Sequence, residues 1–184
     1  MKGAKRLMPK RWVWDPKENP KIVELIDSND ESVNWCDALD RAKNCSIGIT
    51  LAVCASLSIV KRVIACSDGL DSFPGDEYAI KVLEAWIDEP TEKNFSLVFS
   101  LLYGDEDIDQ GAQNISPYTK GALRCAISHP DGCGEITWAL ESFCEDLVGI
   151  GYDPAWIREV GLRGVKARMR PIIYLVQSRN ESWV

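Results

Sequence analysis

The chain has 184 residues and a mass of 20.6 kDa, with 46% hydrophobic and 27% charged residues and a formal net charge of −7. That length can bury a core without disulfide staples, and the composition excludes collagen-like, low-complexity and largely disordered classes. The acidic balance argues against direct nucleic-acid binding through overall basicity.

Residues 1–20 are basic and punctuated by Pro9, Pro16 and Pro20, with Trp12 and Trp14 between them. They read as an extended N-terminal arm ahead of a single all-helical domain over 21–184. The positive start has no apolar stretch behind it of the kind a secretory signal carries, which points to the cytoplasm. Residues 21–27 fit one short amphipathic helix. Ser28, Asn29, Asp30 and Ser32 offer N-caps for a long helical region reaching Cys66. Trp35, Leu39, Ala42 and Ile49 follow helical spacing there, and Asn44 to Gly48 is a candidate break. Residues 47–60 form the longest apolar stretch. It is interrupted by Gly48, Thr50, Ser56 and Ser58 and falls short of the ~20 apolar residues a spanning helix needs, so it reads as a buried core helix and no membrane contact is expected.

Turn chemistry at Ser67-Asp68-Gly69 and at Ser72 to Asp76 precedes a helix with Ala79, Val82, Leu83 and Trp86 on one face. Residues 88–92 end it. Thr91 caps the next helix, with Asn94 where a capping box would place Glu, and Phe95, Val98, Phe99 and Leu102 make its apolar stripe. After a polar loop over 104–113, helices are predicted over about 116–128, 134–148 and 154–165. The second of these carries Ile136, Leu140, Phe143 and Leu147, and the third opens on Asp153-Pro154, a cap followed by proline at the first helical position. Pro171 interrupts the C-terminal stretch, leaving residues 172–176 (Ile-Ile-Tyr-Leu-Val) open between helix and strand. Strand signals are otherwise scarce, so the expected fold is all-α: a single-domain bundle of about seven or eight helices.

No catalytic, cofactor or metal motif emerges. The seven cysteines include no C-x-x-C pair. Cys36, Cys45 and Cys54 are nine apart, which turns a helix by half a circle at each step, so zinc spacing is absent and reduced core thiols are expected. Asp105-Glu106-Asp107-Ile108-Asp109 opens like a calcium-binding loop, but Gln110 stands where the sharp turn needs Gly and Ser116 where a bidentate Glu belongs. His129, the only histidine, sits beside Pro130 in a turn and reads as a loop residue rather than the base for Cys125 or Cys133. Gly149-Ile150-Gly151 lacks the third fingerprint glycine and reads as a helix C-cap and turn. Asp88-Glu89 and Glu141/Glu145 have the look of ordinary surface charge. Trp86 and Trp138 lie on apolar stripes and are expected in the core, while Trp12, Trp14 and Trp183 lie near the ends, suited to docking on the bundle or contacting a partner.

Charge is unevenly spread. Residues 1–21 hold seven Lys/Arg against two Asp/Glu, and residues 153–184 six against three. The body between them holds eight against twenty-three, a net of −15. A strongly acidic body between basic ends favours a protein partner with a basic surface.

The segment Leu51-Ala52-Val53-Cys54-Ala55, the turn Phe73-Pro74-Gly75-Asp76-Glu77, the run Ala79 to Trp86 and the cap Pro90-Thr91-Glu92-Lys93-Asn94 resemble a group of small all-helical bacterial proteins. Some members of that group are described as immunity proteins of polymorphic toxin systems. The resemblance covers about residues 45–102. It departs where Glu77-Tyr78 replaces an Asp-Arg-Pro continuation after the turn. The matching residues are caps and core, so the resemblance implies a fold and an inhibitory binding role, and carries no catalytic residues.

The expectation is therefore a non-enzymatic, acidic, helical cytoplasmic protein that binds and neutralises a protein partner, with no cofactor. Asp105, Glu106, Asp107 and Asp109, followed by Asp88, Glu89 and Glu92, are the candidate partner-binding carboxylates. Two alternatives stand beside it: a phage-encoded anti-defence protein, and a homo-oligomerising assembly component whose basic ends meet acidic bodies of neighbouring copies.

Overall fold

The structure is a computed structural model that describes residues 22–24, 45–66, 73–89, 91–104, 114–127 and 133–181; for 45–47, 133–137 and 170–181 it describes the helical backbone alone. The expected arm over 1–20, the helix over 28–44, the loop over 105–113, and Trp12, Trp14, Trp35, His129 and Trp183 lie outside the described residues. Among the described residues the fold is all-α: α1 (Cys45–Cys66), α2 (Gly75–Asp88), α3 (Glu92–Tyr103), α4 (Pro117–Ile127), α5 (Cys133–Gly149) and α6 (Pro154–Glu181), with residues 22–24 also helical.

Helix α1 is the centre of the bundle. Every residue from Gly48 to Leu57 is buried, as expected of a helix apolar on most sides. A fully buried Leu or Ile contributes about 1.5–3 kcal/mol, so Ile49, Leu51 and Ile59 alone supply a large share of the core. Its serines are accommodated by bonding back to their own helix: Ser56 Oγ donates to the Val53 carbonyl at 3.2 Å and Ser58 Oγ to the Cys54 carbonyl at 2.8 Å. This is one described helix long and apolar enough to cross a membrane by length and composition, yet 67% of its apolar window is buried inside the bundle, as in the core helix of a soluble protein. It emerges at Lys61-Arg62 and ends exposed at Cys66.

Helix α6 makes the most extensive packing against α1, and α4 the next. Gly164 is the reason α6 comes so close: a Cβ there would overlap Ser58 Oγ and stand 2.6 Å from the Cys54 carbonyl oxygen. Pro171 does not end α6, which continues as helix through 172–176 to Glu181. That run, open between helix and strand by its residues alone, is therefore helix.

The predicted caps form as bonds. Thr91 Oγ1 accepts from the Asn94 N–H at 3.3 Å, and Asp153 Oδ1 from the Trp156 N–H at 2.9 Å. Asn94 does a second job, since its side-chain amide donates to the Glu89 carbonyl at 2.8 Å and the Ala85 carbonyl at 3.2 Å. One residue thus closes the end of α2 and the start of α3. Gly151, at φ +102°, turns the chain out of α5, with the Tyr152 N–H reaching the Leu147 carbonyl at 3.1 Å.

Asp76 does more than close the turn before α2. It is buried, and its Oδ1 accepts the Ser116 N–H at 2.8 Å, tying the start of α2 to the start of α4. Ser116 in turn caps α4, accepting the Thr119 N–H at 3.2 Å just before Pro117.

Three residues expected in the core lie outside it or only at its edge. Trp86 is buried at 1% exposure, but Trp138 is 69% exposed. Leu140, Phe143 and Leu147 face the core, and Trp138 lies two residues before Leu140, ~200° around the helix and so on the opposite face. Cys54 and Cys125 are core thiols as expected, whereas Cys66 is exposed and Cys144 only half-buried.

Candidate functional site

The predicted carboxylates fall into three situations. Asp105, Glu106, Asp107 and Asp109 lie outside the described residues. Asp88 is exposed but occupied: Arg168 donates from Nη1 to Asp88 Oδ1 at 3.0 Å and from Nη2 to the Ile87 carbonyl at 3.1 Å. A guanidinium at the C-terminal end of α2 satisfies a terminal carbonyl and offsets the helix dipole, so this pair ties α6 to the end of α2. Glu89 and Glu92 are exposed at the α2–α3 corner and make no ion pair among the described residues.

Elsewhere much of the surface charge is internally matched. Lys61 pairs with Glu84, Lys81 with Glu77, and Arg163 with Glu159. The hydrogen bond from Lys81 and its positive charge hold the Glu77 carboxyl below its ordinary range. Such exposed pairs add little stability. Their consequence is electrostatic, because they leave the unmatched carboxylates to define the acidic field.

Those unmatched carboxylates concentrate on α5. Trp138, Glu141, Ser142 and Glu145 recur at i, i+3, i+4 and i+7 on the face away from the core, with Asp146 at its edge. Glu141, Glu145 and Asp146 are exposed and make no ion pair among the described residues. An exposed tryptophan framed by three such carboxylates is an unusual use of a surface helix, since large aromatics are normally spent in cores or interfaces. The signal is present in the sequence: the same spacing that buries Leu140, Phe143 and Leu147 turns Trp138 and Glu141/Glu145 outward.

Beside this face a trough of about 460 Å³ runs between α4 and α5. Tyr103 from the end of α3, Trp138 and Phe143 give it aromatic walls, Ile127 adds aliphatic surface, and Arg124 and Asp146 stand on opposite helices. Tyr103 is 65% exposed, and its ring lies 4.6 Å from that of Phe99, which braces it from one turn below. Gly121 is part of the trough's lining: a Cβ would overlap the Phe143 ring edge, so the missing side chain lets Phe143 pack closely against α4. Arg124 has an interaction of its own within the chain. A shallower groove between α1, α2 and α6 is built around the Arg168–Asp88 pair and its charges are already matched.

Burial pushes the Cys54 and Cys125 thiols up to about 12, so neither is a nucleophile near neutral pH. Ser56 hydrogen-bonds the Cys125 thiol and only partly offsets that burial. Among the described residues no group of three His, Cys, Asp or Glu side chains could hold a metal ion. No model of a known protein family, no curated protein and no solved structure matches the chain.

Proposed function

We propose that the chain is a non-enzymatic cytoplasmic protein that binds a protein partner with a basic surface and neutralises it, as an immunity or inhibitor protein does. The observation that carries this reading is the outer face of α5, where exposed Trp138 stands among the unmatched carboxylates Glu141, Glu145 and Asp146. Carboxylates on such a face steer a basic partner into encounter, and a central aromatic excludes water from the contact. The net charge of −15 over residues 22–152 supports the same polarity.

Affinity capture from the native host, run in parallel with wild type and a W138A/E141K/E145K variant, tests the reading. The expected outcome is a specific protein with a basic surface that wild type retains and the variant does not. Its activity or toxicity, when produced alone, is suppressed by co-production of the wild-type chain. Capture of no partner but further copies of this chain would replace inhibition by self-assembly.

A further inference from the structure

We infer that the trough between α4 and α5 is a seat for one long cationic side chain of that partner, an arginine, with its guanidinium on Asp146 and its stem along the aromatic wall. This rests on the partner-binding reading and adds what the partner must present. Asp146 lines the trough, is exposed and makes no ion pair among the described residues. Glu141 and Glu145 deepen the negative field on the same helix, while the cation on the opposite wall, Arg124, already has an interaction within the chain. An anionic occupant would therefore meet the unmatched Asp146 on the wall, with Glu141 and Glu145 exposed beside it on the same helix. A cationic occupant meets complementary charge.

The dimensions fit as well. Trp138 and Asp146 are eight residues apart on α5, about 12 Å along its axis, which leaves length for an alkyl stem as well as a charged head. The exposed rings of Trp138 and Tyr103 give that stem apolar surface to cover, with Phe143 packed behind them. Arginine suits the site better than lysine, because its planar fork bonds a carboxylate with two parallel N–H groups and stacks on aromatic faces.

The test is a nuclear magnetic resonance titration of the isotope-labelled full chain with a short acetylated peptide carrying one arginine, against the same peptide carrying neutral citrulline. The Trp138 indole N–H, assigned by its loss in W138F, is the reporter. The arginine peptide is expected to shift that resonance and the Asp146 amide saturably, with the citrulline peptide about tenfold weaker. Asp146→Asn is expected to abolish the difference between the peptides, and Trp138→Ala to weaken both; the spectra themselves report that each variant is folded. Equal affinity for the two peptides, or an arginine preference that survives Asp146→Asn, would overturn the assignment. Failure here is separable from failure of the functional reading: a partner lost by W138A but captured equally well by D146N removes the arginine seat and leaves the inhibitor standing.

Discussion

Gly164→Ala is the substitution that most sharply probes the packing of α6 on the central helix. In a helix interior the change from Gly to Ala is worth about 1 kcal/mol in favour of Ala, so on propensity alone the variant gains stability. The structure reverses that sign. The new Cβ would overlap Ser58 Oγ and stand 2.6 Å from the Cys54 carbonyl oxygen, and a backbone carbonyl in the core helix cannot swing aside as a side-chain tip can. Helix α6 must then retreat along the most extensive helix pair in the bundle, at an overpacking cost of about 2–3 kcal/mol, the upper part of the usual range because a backbone atom is struck. A net loss of about 1–2 kcal/mol follows, equivalent to a melting temperature lower by about 2–8 °C for a chain of this size. Gly149→Ala is the matched control, because nothing lies within 4 Å of its Cβ; it should melt at or slightly above wild type. Differential scanning calorimetry of both variants decides the matter. A Gly164→Ala protein as stable as wild type would mean that α1 and α6 do not approach so closely, and the architecture around them would need redrawing.

Other consequences are independent of that contact. Asn94→Ala removes two hydrogen bonds to the carbonyl end of α2 and should cost about 0.5–1.5 kcal/mol in urea titration, while Asn94→Asp, lacking the donor amide, should not restore it. Alkylation mapped by mass spectrometry at mildly alkaline pH should label exposed Cys66 quickly and leave Cys54 and Cys125 unlabelled until denaturant is added. The same two thiols predict alkaline instability. In the unfolded chain they ionise near their ordinary value of 9.0, whereas the folded protein holds their protons up to about 12. The unfolded state therefore binds fewer protons above pH 9, and stability should fall from there towards pH 12, with the fall reduced in C54A/C125A.

Much of the fold is legible in the residues because its determinants are local. Thr91 and Asp153 announce their caps, and the spacing of Ala79, Val82, Leu83 and Trp86 fixes which face of α2 turns inward. The features that local patterns miss depend on residues distant along the chain. The bond from Ser116 to Asp76 spans forty positions, the pair of Arg168 with Asp88 eighty, and Gly164 has meaning only against Cys54 and Ser58. The reach of α6 past Pro171 is likewise hidden, because proline weakens a helix locally and residues 172–176 by themselves suit helix and strand alike. At the candidate site the difference is one of phase. The inward stripe of α5 consists of Leu140, Phe143 and Leu147, and Trp138 falls on the opposite side, in solvent rather than in the core. That phase moves attention from the α2–α3 corner, where Asp88 is already paired with Arg168, to the outer face of α5.

The most direct test of binding through α5 is the affinity of the purified partner for wild type, W138A and E141K/E145K, measured calorimetrically at low and high salt. Binding through this face predicts tight association that weakens as salt rises, a loss of about 2 kcal/mol or more in W138A as for a central aromatic anchor, and a flattened salt dependence in E141K/E145K. Unchanged affinity in both variants, with the salt dependence intact, would contradict it and place the partner elsewhere on the molecule.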